Sequence, residues 1–311
     1  MTKPLVSIVL TTYNGERFVK DILRMLQAQT YEHFECLVID DGSQDNTPSL
    51  YTDFAKQDNR FSVLDYMPQK NVGLSRQFGV NHANGKYIAL LDHDDIWHPC
   101  KLEAQVRILE TNSDIDILYT FHDRFIKTED IPQVSYDAST ISWAYTPDML
   151  HKLLKGNYLA CDSMMIRKSS ESRIQGFWGH KDLYHCEDYY PILRYAKLGR
   201  PAMIQEVLTF CRNHTSNKSL GSRLRLSNCL EFLANRFESQ NFPEIGRKLK
   251  SQAYKTRARH YLTEDPKKSL LCAWKSLRYY PRVKTLGVLV ICVLWNLKSI
   301  VYKPQLLVRK G

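Results

Sequence analysis

The chain has 311 residues, of which 43% are hydrophobic and 24% charged, and this ordinary globular composition excludes a disordered protein. Its net charge is +10, but residues 236–311 contain 17 Lys and Arg against 4 Asp and Glu, which leaves −3 for residues 1–235. The basic character therefore belongs to the C-terminal tail. The eight cysteines include no CxxC or similarly close pair, so we expect reduced, buried thiols rather than a zinc knuckle or a redox pair.

Strands and helices alternate along the first 121 residues. Short apolar runs predict strands at 5–11, 34–40, 61–65, 87–91 and 115–121. Helices are predicted between them, at 15–30, from about 46, at 75–83 and at 99–110. Pro99 is expected in the first turn of the last of these helices. Continuous apolar strands separated by helices predict a mostly parallel α/β sheet with helices on both faces.

Beyond Phe121 the alternation becomes less regular. The sequence predicts a strand at 158–166, a helix at 188–198 and a strand at 207–211. From about Leu220 onward the pattern is typical of helices alone. We therefore expect an α/β domain followed by a helical C-terminal region.

The C-terminal region contains the apolar stretch TLGVLVICVLWNL at 285–297. Its thirteen uncharged residues are too few to span about 30 Å of hydrocarbon, for which roughly 20 are needed. We predict a helix at about 284–302 that lies in the interface of an anionic membrane; a buried core or oligomer helix and a true span are the alternatives. The cations that favour the interface are Lys267, Lys268, Lys275, Arg278, Arg282, Lys284, Lys298 and Lys303.

The N-terminal segment MTKPLVSIVL is too short for a signal peptide and has no cleavage site. Together with the unpaired cysteines, it indicates a cytosolic compartment. Combined with the interfacial helix, this predicts a cytoplasmic protein that is peripheral on the inner face of the cell membrane.

Three polar segments follow predicted strands at the point where each strand ends. They are TTYN at 11–14, DDGSQDN at 40–46 and DHDD at 92–95. Ligands of open parallel sheets bind outside the carboxyl ends of the strands, so we expect the three segments to face one site. Clustered carboxylates need a cation or a donor-rich ligand to stay ionised, and their oxygens suit Mg²⁺ or Mn²⁺ bridged to phosphates. The sequence therefore predicts a site for a metal-bridged diphosphate.

Two other kinds of binding site are excluded at these segments, a calcium-binding EF-hand and a glycine-rich phosphate-binding loop. An EF-hand would begin at Asp92, but Ile96 and Trp97 then occupy a ligand position and the obligatory glycine position. A phosphate-binding loop is missing after the first strand, where Gly15 stands without a GxGxxG or GxxxxGK[ST] pattern. A nucleotide must therefore be held by side chains and metal.

Four segments, in this order, resemble glycosyltransferase family 2, the inverting nucleotide-sugar-dependent transferases of GT-A fold. They are VSIVLTTYNGERF, LVIDDGSQDNT, NVGLSRQFGVNHANGKYIALLDHDDIWHPCKLE and CEDYYPILRYAKLG. The resemblance covers about the first 215 residues and favours members that build bacterial surface polysaccharides. It implies a Rossmann-like GT-A domain at 1–218, with nucleotide-sugar binding in 1–121 and the acceptor and catalytic part in 122–218, before the basic helical region 219–311.

The resemblance also implies roles for single residues. Asp92 and Asp94 match the family's DxD pair and, together with His214, are the implied ligands of Mn²⁺ or Mg²⁺, although His214 could also be an ordinary hydrogen-bonded surface residue. The Asp residues at 40 and 45 are expected to form turns and helix caps. The residues implied in donor binding are Thr11, Tyr13, Asn14, Asp41, Arg76, Asp92, Asp95 and Arg212.

Inverting transfer needs a general base that takes the proton of the acceptor hydroxyl. Asp188 matches the family's base, and Glu187 its partner. The alternative is that both carboxylates only complement the positive end of the helix dipole, which is worth less than about 1 kcal/mol.

The implied function is metal-dependent transfer of a sugar from a UDP- or dTDP-linked donor to a glycan acceptor in surface polysaccharide, O-antigen or lipopolysaccharide synthesis. The basic tail suggests a lipid-linked acceptor. One alternative is a sugar nucleotidyltransferase, which usually carries a glycine-rich loop that TTYNGER does not provide. Another is a non-catalytic membrane-binding module; a nucleic-acid partner is not expected, because the cations cluster beside an apolar helix. The donor sugar, linkage and oligomeric state stay open.

Overall fold

A computed structural model of the protein describes residues 3–177, 179–183, 186–214, 223–281 and 283–301. For residues 283–285 and 296–301 it describes only the backbone. The chain divides into two compact units, 1–217 and 218–311. The boundary predicted near residue 218 lies outside the described residues.

The first half of unit 1 is a parallel sheet with helices on both faces, as predicted. Ile8 and Leu10 of the first strand share a core with Ile22 of the first helix. Side chains alternate along a strand, so Val9 faces the other way, where a Cβ on Gly79 would come within 2.4 Å of its Cγ1. The elements are β1 (Val6–Thr12), α1 (Glu16–Gln27), β2 (Phe34–Asp40), α2 (Thr47–Ala55), β3 (Phe61–Val63), α3 (Val72–His82) and β4 (Tyr87–Asp92).

The second half of unit 1 completes a mixed sheet. Its elements are β5 (Ile96–Trp97), α4 (Lys101–Thr111), β6 (Ile117–Phe125), β7 (Trp143–Tyr145), α5 (Met149–Leu153), β8 (Met165–Arg167), α6 (Lys168–Ile174), α7 (Tyr189–Leu198) and β9 (Pro201–Arg212). Within the described residues the strand order is β3-β2-β1-β4-β8-β6-β9-β5, and β7 also pairs with β9. The β6–β9 pair is parallel, whereas β5, β7 and β8 run antiparallel to their neighbours.

Three predicted elements are wrong in detail. Of the strand predicted at 158–166, only its end is a strand, because a 3₁₀ turn at Cys161–Ser163 interrupts it. The helix expected to include Pro99 begins at Lys101, so the proline precedes it. The last predicted strand is longer than expected and spans Pro201–Arg212.

Unit 2 is helical in its described residues, as predicted. It contains α8 (Arg223–Ser239), α9 (Pro243–Tyr261), α10 (Pro266–Tyr279) and α11 (Val283–Val301). The α11 helix lies where the sequence predicts a helix, at about 284–302, and its position in a membrane interface stays a prediction. Of the predicted flanking cations, Arg282 and Lys303 lie outside the described residues, as do the side chains of Lys284 and Lys298. Among the described residues, no helix combines the length and the apolar character needed to cross a bilayer.

Candidate active site

The three polar segments meet at one edge of the sheet. Thr12 at the end of β1 pairs with Asp40 at the end of β2, and Thr11 pairs with Asp92 at the end of β4. This proximity follows from the parallel register, because β1 lies between β2 and β4.

The segment after β2 is organised by two aspartates with different partners. Asp40 accepts hydrogen bonds from the backbone N–H groups of Gly42 and Ser43 at 3.1 and 2.9 Å, which makes it the turn former that the sequence predicts. The buried Asp41 accepts at one oxygen, Oδ1, from the N–H groups of Gln69 and Lys70, both at 2.8 Å. Asp41 therefore fixes the loop after β3.

The segment after β1 is tied to the same turn. Asn14, in the left-handed region with φ 48°, donates its backbone N–H to Ser43 Oγ and accepts from the N–H of Gln44, both at 2.8 Å. Tyr13 is half-buried beside it. The next residue, Gly15, leaves room for a ring, because a Cβ there would lie 2.6 Å from His93 Cδ2.

Asp92 forms a largely buried ion pair with Arg76. Nη2 of Arg76, which is 6% exposed, donates to both carboxylate oxygens of Asp92 at 2.6 and 2.7 Å, and Thr11 Oγ1 donates to the same carboxylate at 3.1 Å. Burial alone would raise the pKa of Asp92, but the Arg76 guanidinium holds it below its usual value. Asp92 therefore stays ionised through a protein cation.

Asp94 lies against His214, 120 positions later in the chain. His214 Nε2 and Asp94 Oδ2 are 2.8 Å apart, and these side chains are 17% and 19% exposed. The His214 ring also packs on Phe18 of α1, with ring centroids 5.4 Å apart. Over the described ranges, no cluster of three or more His, Cys, Asp or Glu is arranged to hold a metal ion.

Arg212 encloses the Asp92–Asp95 turn from the end of β9. Its backbone N–H donates to Asp95 Oδ1 at 2.8 Å, and its Nε donates to the carbonyl of Asp94 at 3.0 Å. Its Nη2 donates to Asp21 of α1 at 3.0 Å. The guanidinium that the resemblance assigns to the diphosphate is therefore engaged with the turn and with α1.

Asp162 is a residue of this site that the sequence reasoning missed. It is 2% exposed and accepts the N–H of Asp92 at Oδ2, 3.1 Å away. The Asp162 carboxyl group lies beside that of Asp95, and burial raises the pKa of Asp162 and raises that of Asp95 to about 7. The available signal was a single carboxylate inside the apolar run YLACDSMMI.

Glu187 and Asp188 lie half-buried before α7, next to the first turn of α3. A Cβ on Gly73 of that turn would come within 2.8 Å of Glu187 Cβ. Burial raises the pKa of Glu187 to about 7, and it also raises the pKa of Asp188 even though Arg76 lowers it. Asp188 makes no capping hydrogen bond to α7; its Oδ2 accepts instead from Asn157 Nδ2 at 3.1 Å.

Residues 7–174, more than half of the chain, match the sequence profile of "Glycosyl transferase family 2". The chain belongs to glycosyltransferase family 2. An uncharacterized glycosyltransferase of Haemophilus influenzae is 30% identical over 222 residues, which cover 70% of this chain and 68% of that protein. TuaG of Bacillus subtilis, named provisionally as a teichuronic acid biosynthesis glycosyltransferase, is 26% identical over 175 residues, 56% of this chain and 66% of its own.

Solved structures confirm the GT-A fold of this family-2 chain. Staphylococcus aureus TarS 1–349 in complex with UDP-GlcNAc superposes with a TM-score of 0.67 at 13% identity, over 94% of this chain and 88% of that one. The mannosyltransferase PcManGT of Pyrobaculum calidifontis, in complex with GDP-Man and Mn²⁺, gives 0.54 at 13% identity, over 96% and 88%. The chain spans between 34% and 67% of the length of five curated relatives that it matches.

Proposed function

We propose that this family-2 chain is a metal-dependent inverting glycosyltransferase that moves a sugar from a UDP- or dTDP-linked donor to a glycan acceptor in surface polysaccharide synthesis. The observation that carries the proposal is the meeting of the Arg76–Asp92 pair with Glu187 and Asp188 beside the carboxyl ends of β1, β2 and β4. TarS, which has the same fold, binds UDP-GlcNAc, and TuaG supports the polysaccharide assignment.

The donor occupies the sheet edge in this proposal. Asp41 Oδ1 is taken by two backbone N–H groups, which leaves Oδ2 as an acceptor for the base of the nucleotide. Arg76 keeps Asp92 ionised beside the ribose and the diphosphate. Thr11, Tyr13 and Asn14 line the nucleotide pocket from the end of β1.

A divalent cation, Mn²⁺ or Mg²⁺, fits the donor atoms at this edge. Such ions commonly take one or two protein ligands and complete their shell with phosphates and water, so the partly exposed pair of Asp94 and His214 suffices. The sequence predicts Asp92 as a further ligand, but both of its oxygens contact Arg76. We therefore assign Asp94 and His214 as the ligands. The bound cation would neutralise charge on the leaving diphosphate.

Asp188 is the general base of the proposed transfer. Its raised pKa makes it a better proton acceptor than an exposed aspartate, and Asn157 orients the carboxylate. The acceptor hydroxyl loses its proton to Asp188 while its oxygen forms the new bond to the anomeric carbon. The bond from that carbon to the diphosphate oxygen breaks on the opposite face, so the configuration inverts. Glu187 borders the acceptor.

A panel of UDP- and dTDP-sugars tests the proposal. The full-length chain is incubated with each donor and Mn²⁺ or Mg²⁺, with and without excess EDTA, and the released nucleoside diphosphate is quantified. We expect at least one donor to be cleaved only with metal. Equal cleavage in EDTA, or no binding and no cleavage of any donor, would refute it, and pyrophosphate released from a nucleoside triphosphate would indicate a nucleotidyltransferase.

The same assay tests the metal ligands. His214→Ala should raise the half-saturating Mn²⁺ concentration by about tenfold, a cost of about 1.4 kcal/mol in binding. His151→Ala, at an exposed position on α5, is the matched control and should leave that concentration unchanged. An unaltered metal requirement in His214→Ala removes this residue from the set.

We further propose that the acceptor is lipid-linked and that α11 rests on the inner face of the cell membrane. Most of the described circumference of α11 is apolar and exposed, including Leu286 at 52%, Ile291 at 52% and Leu294 at 56%. Arg278 and other cations of α10 provide attraction to anionic lipid, worth about 1 kcal/mol for each cation near the surface.

Flotation with phosphatidylglycerol vesicles measures this association. The intact chain should float, and Ile291→Glu with Leu294→Glu should shift it to the soluble fraction. Ile126→Glu, at an apolar position of unit 1 that is 68% exposed, is the control and should float as before. An intact chain that stays soluble would refute the association, and an oligomer that the two glutamates dissociate would show that α11 is an oligomer contact instead.

A further inference from the structure

The Asp92–Asp95 turn contacts a buried carboxyl group to which no role has yet been assigned. Asp162 lies in the 3₁₀ turn Cys161–Ser163, which contacts β4, β6 and β9. At 2% exposure it is among the most buried charged side chains of the described residues. Its Oδ2 accepts the backbone N–H of Asp92 at 3.1 Å.

The Asp162 carboxyl group also lies beside the other end of the turn. Its neighbour there is the Asp95 carboxyl group, which accepts the backbone N–H of Arg212 at 2.8 Å. One carboxyl group therefore lies against the first and the last residue of the Asp92–Asp95 segment. Asp94 lies between these two fixed points.

Side chains of α4 hydrogen-bond the backbone of the 3₁₀ turn that carries Asp162 and support it. Gln105 Nε2 donates to the carbonyls of Ser163 and Leu118, both at 3.0 Å. Lys101 Nζ donates to Gln105 Oε1 at 3.0 Å, and both α4 side chains are fully buried. Both α4 side chains therefore have hydrogen-bond partners in the interior, and a buried polar network of this kind favours a single geometry.

We propose that Asp162 is a positioning residue, which holds the Asp92–Asp95 turn, and with it Asp94, in the geometry that receives the metal and the donor. The inference rests on the proposed function. Asp162 acts through the Asp92 N–H and the Asp95 carboxyl group and takes no part in bond making. Loss of such supporting hydrogen bonds around a metal ligand typically costs about 10- to 100-fold in affinity or activity.

Asparagine and leucine separate the proposed role from simple filling of space. The amide of Asp162→Asn can still accept from the Asp92 N–H, whereas Asp162→Leu has the same number and branching of side-chain heavy atoms, is bulkier, and cannot accept that bond. We expect Asp162→Leu to raise the donor KM and the half-saturating Mn²⁺ concentration about 10- to 100-fold. Asp162→Asn should stay within about threefold of the parent chain on both.

Controls separate positioning from loss of fold. Ser170→Ala removes another buried hydrogen bond, to Asp116 at 2.5 Å, without contact to the turn, and should leave both constants unchanged. Circular dichroism verifies folding of every variant. Asp162→Ala replaces the leucine variant if that chain does not fold.

Hydrogen exchange of the peptide 91–99 supplies a readout that needs no turnover. Exchange should accelerate in Asp162→Leu, and in Asp162→Asn it should match the parent. Parental exchange in a folded Asp162→Leu, or an asparagine variant as impaired as leucine, overturns the proposal. If the parent chain cleaves no donor, the proposed function fails, and the exchange rates still decide whether Asp162 positions the turn.

Discussion

Asp188→Asn should abolish sugar transfer while leaving UDP binding nearly unchanged. Positioned general bases contribute about 10²- to 10⁴-fold to turnover, and asparagine keeps the shape of the side chain but cannot take the proton. The measurement is kcat with the donor found in the panel, combined with the Kd of UDP and Mn²⁺ by calorimetry. Asp182→Asn, an exposed acid shortly before α7, is the matched control and should retain full turnover.

The pH dependence adds a check on the same residue. The base acts when deprotonated, so kcat/KM should rise with pH and level off above the pKa of Asp188. Because burial raises that pKa, the pH midpoint of the rise in kcat/KM should lie above about 3.9, the pKa of an unperturbed aspartate. Substantial turnover in Asp188→Asn would remove the assignment, and Glu187, with a pKa raised to about 7, would be the next candidate.

Arg76→Met should impair both the fold and the reaction. Removing one partner of a buried ion pair costs about 3–5 kcal/mol, and we expect about 3 kcal/mol because the Asp92 side chain is 31% exposed. Thermal and urea unfolding measure this loss. Arg200→Met breaks a more exposed pair with Asp114, in which the side chains are 58% and 41% exposed, and should cost less than about 1 kcal/mol.

Acid should reduce the stability difference between Arg76→Met and the parent chain. In the parent, the lowered pKa of Asp92 adds stability that is present above the unfolded pKa and is lost as the pH falls. In the variant, Asp92 lacks its cation, so burial raises its pKa and protonation relieves the penalty. A difference that is equal at pH 7 and pH 4.5 would show that Arg76 stabilises by packing alone.

The sequence predicts the part of the fold in which one physical signal dominates. Strands such as Tyr87–Asp92 are apolar up to their last residue, and the helices between the strands have apolar residues at helical spacing, so the parallel half of the sheet follows directly. The strand Ile96–Trp97 has two residues and pairs with β9 through tertiary contacts alone. Such pairing produces no periodic pattern in the sequence from which the strand could be predicted.

The candidate site is predictable to the extent that its residues follow strands. The segments that contain Asp41, Asp92 and Asp94 are predicted in this way, whereas the roles of these residues and of Asp188 come from the family resemblance. The pairing of Asp92 with Arg76 and of Asp94 with His214 depends on distances between elements that no spacing reveals. Asp162 was missed because a buried acid inside an apolar run looks like an interruption of a strand.

The close packing of Gly79 on Val9 links the distance between α3 and β1 to the geometry of the Arg76–Asp92 ion pair. A methyl group on Gly79 would come 2.4 Å from Val9 Cγ1, so even alanine would force α3 away from the sheet. Arg76 precedes Gly79 by almost one helical turn, and its guanidinium would withdraw from Asp92 with the helix. Gly79→Ala should therefore weaken the Arg76–Asp92 ion pair although position 79 touches neither residue of that pair.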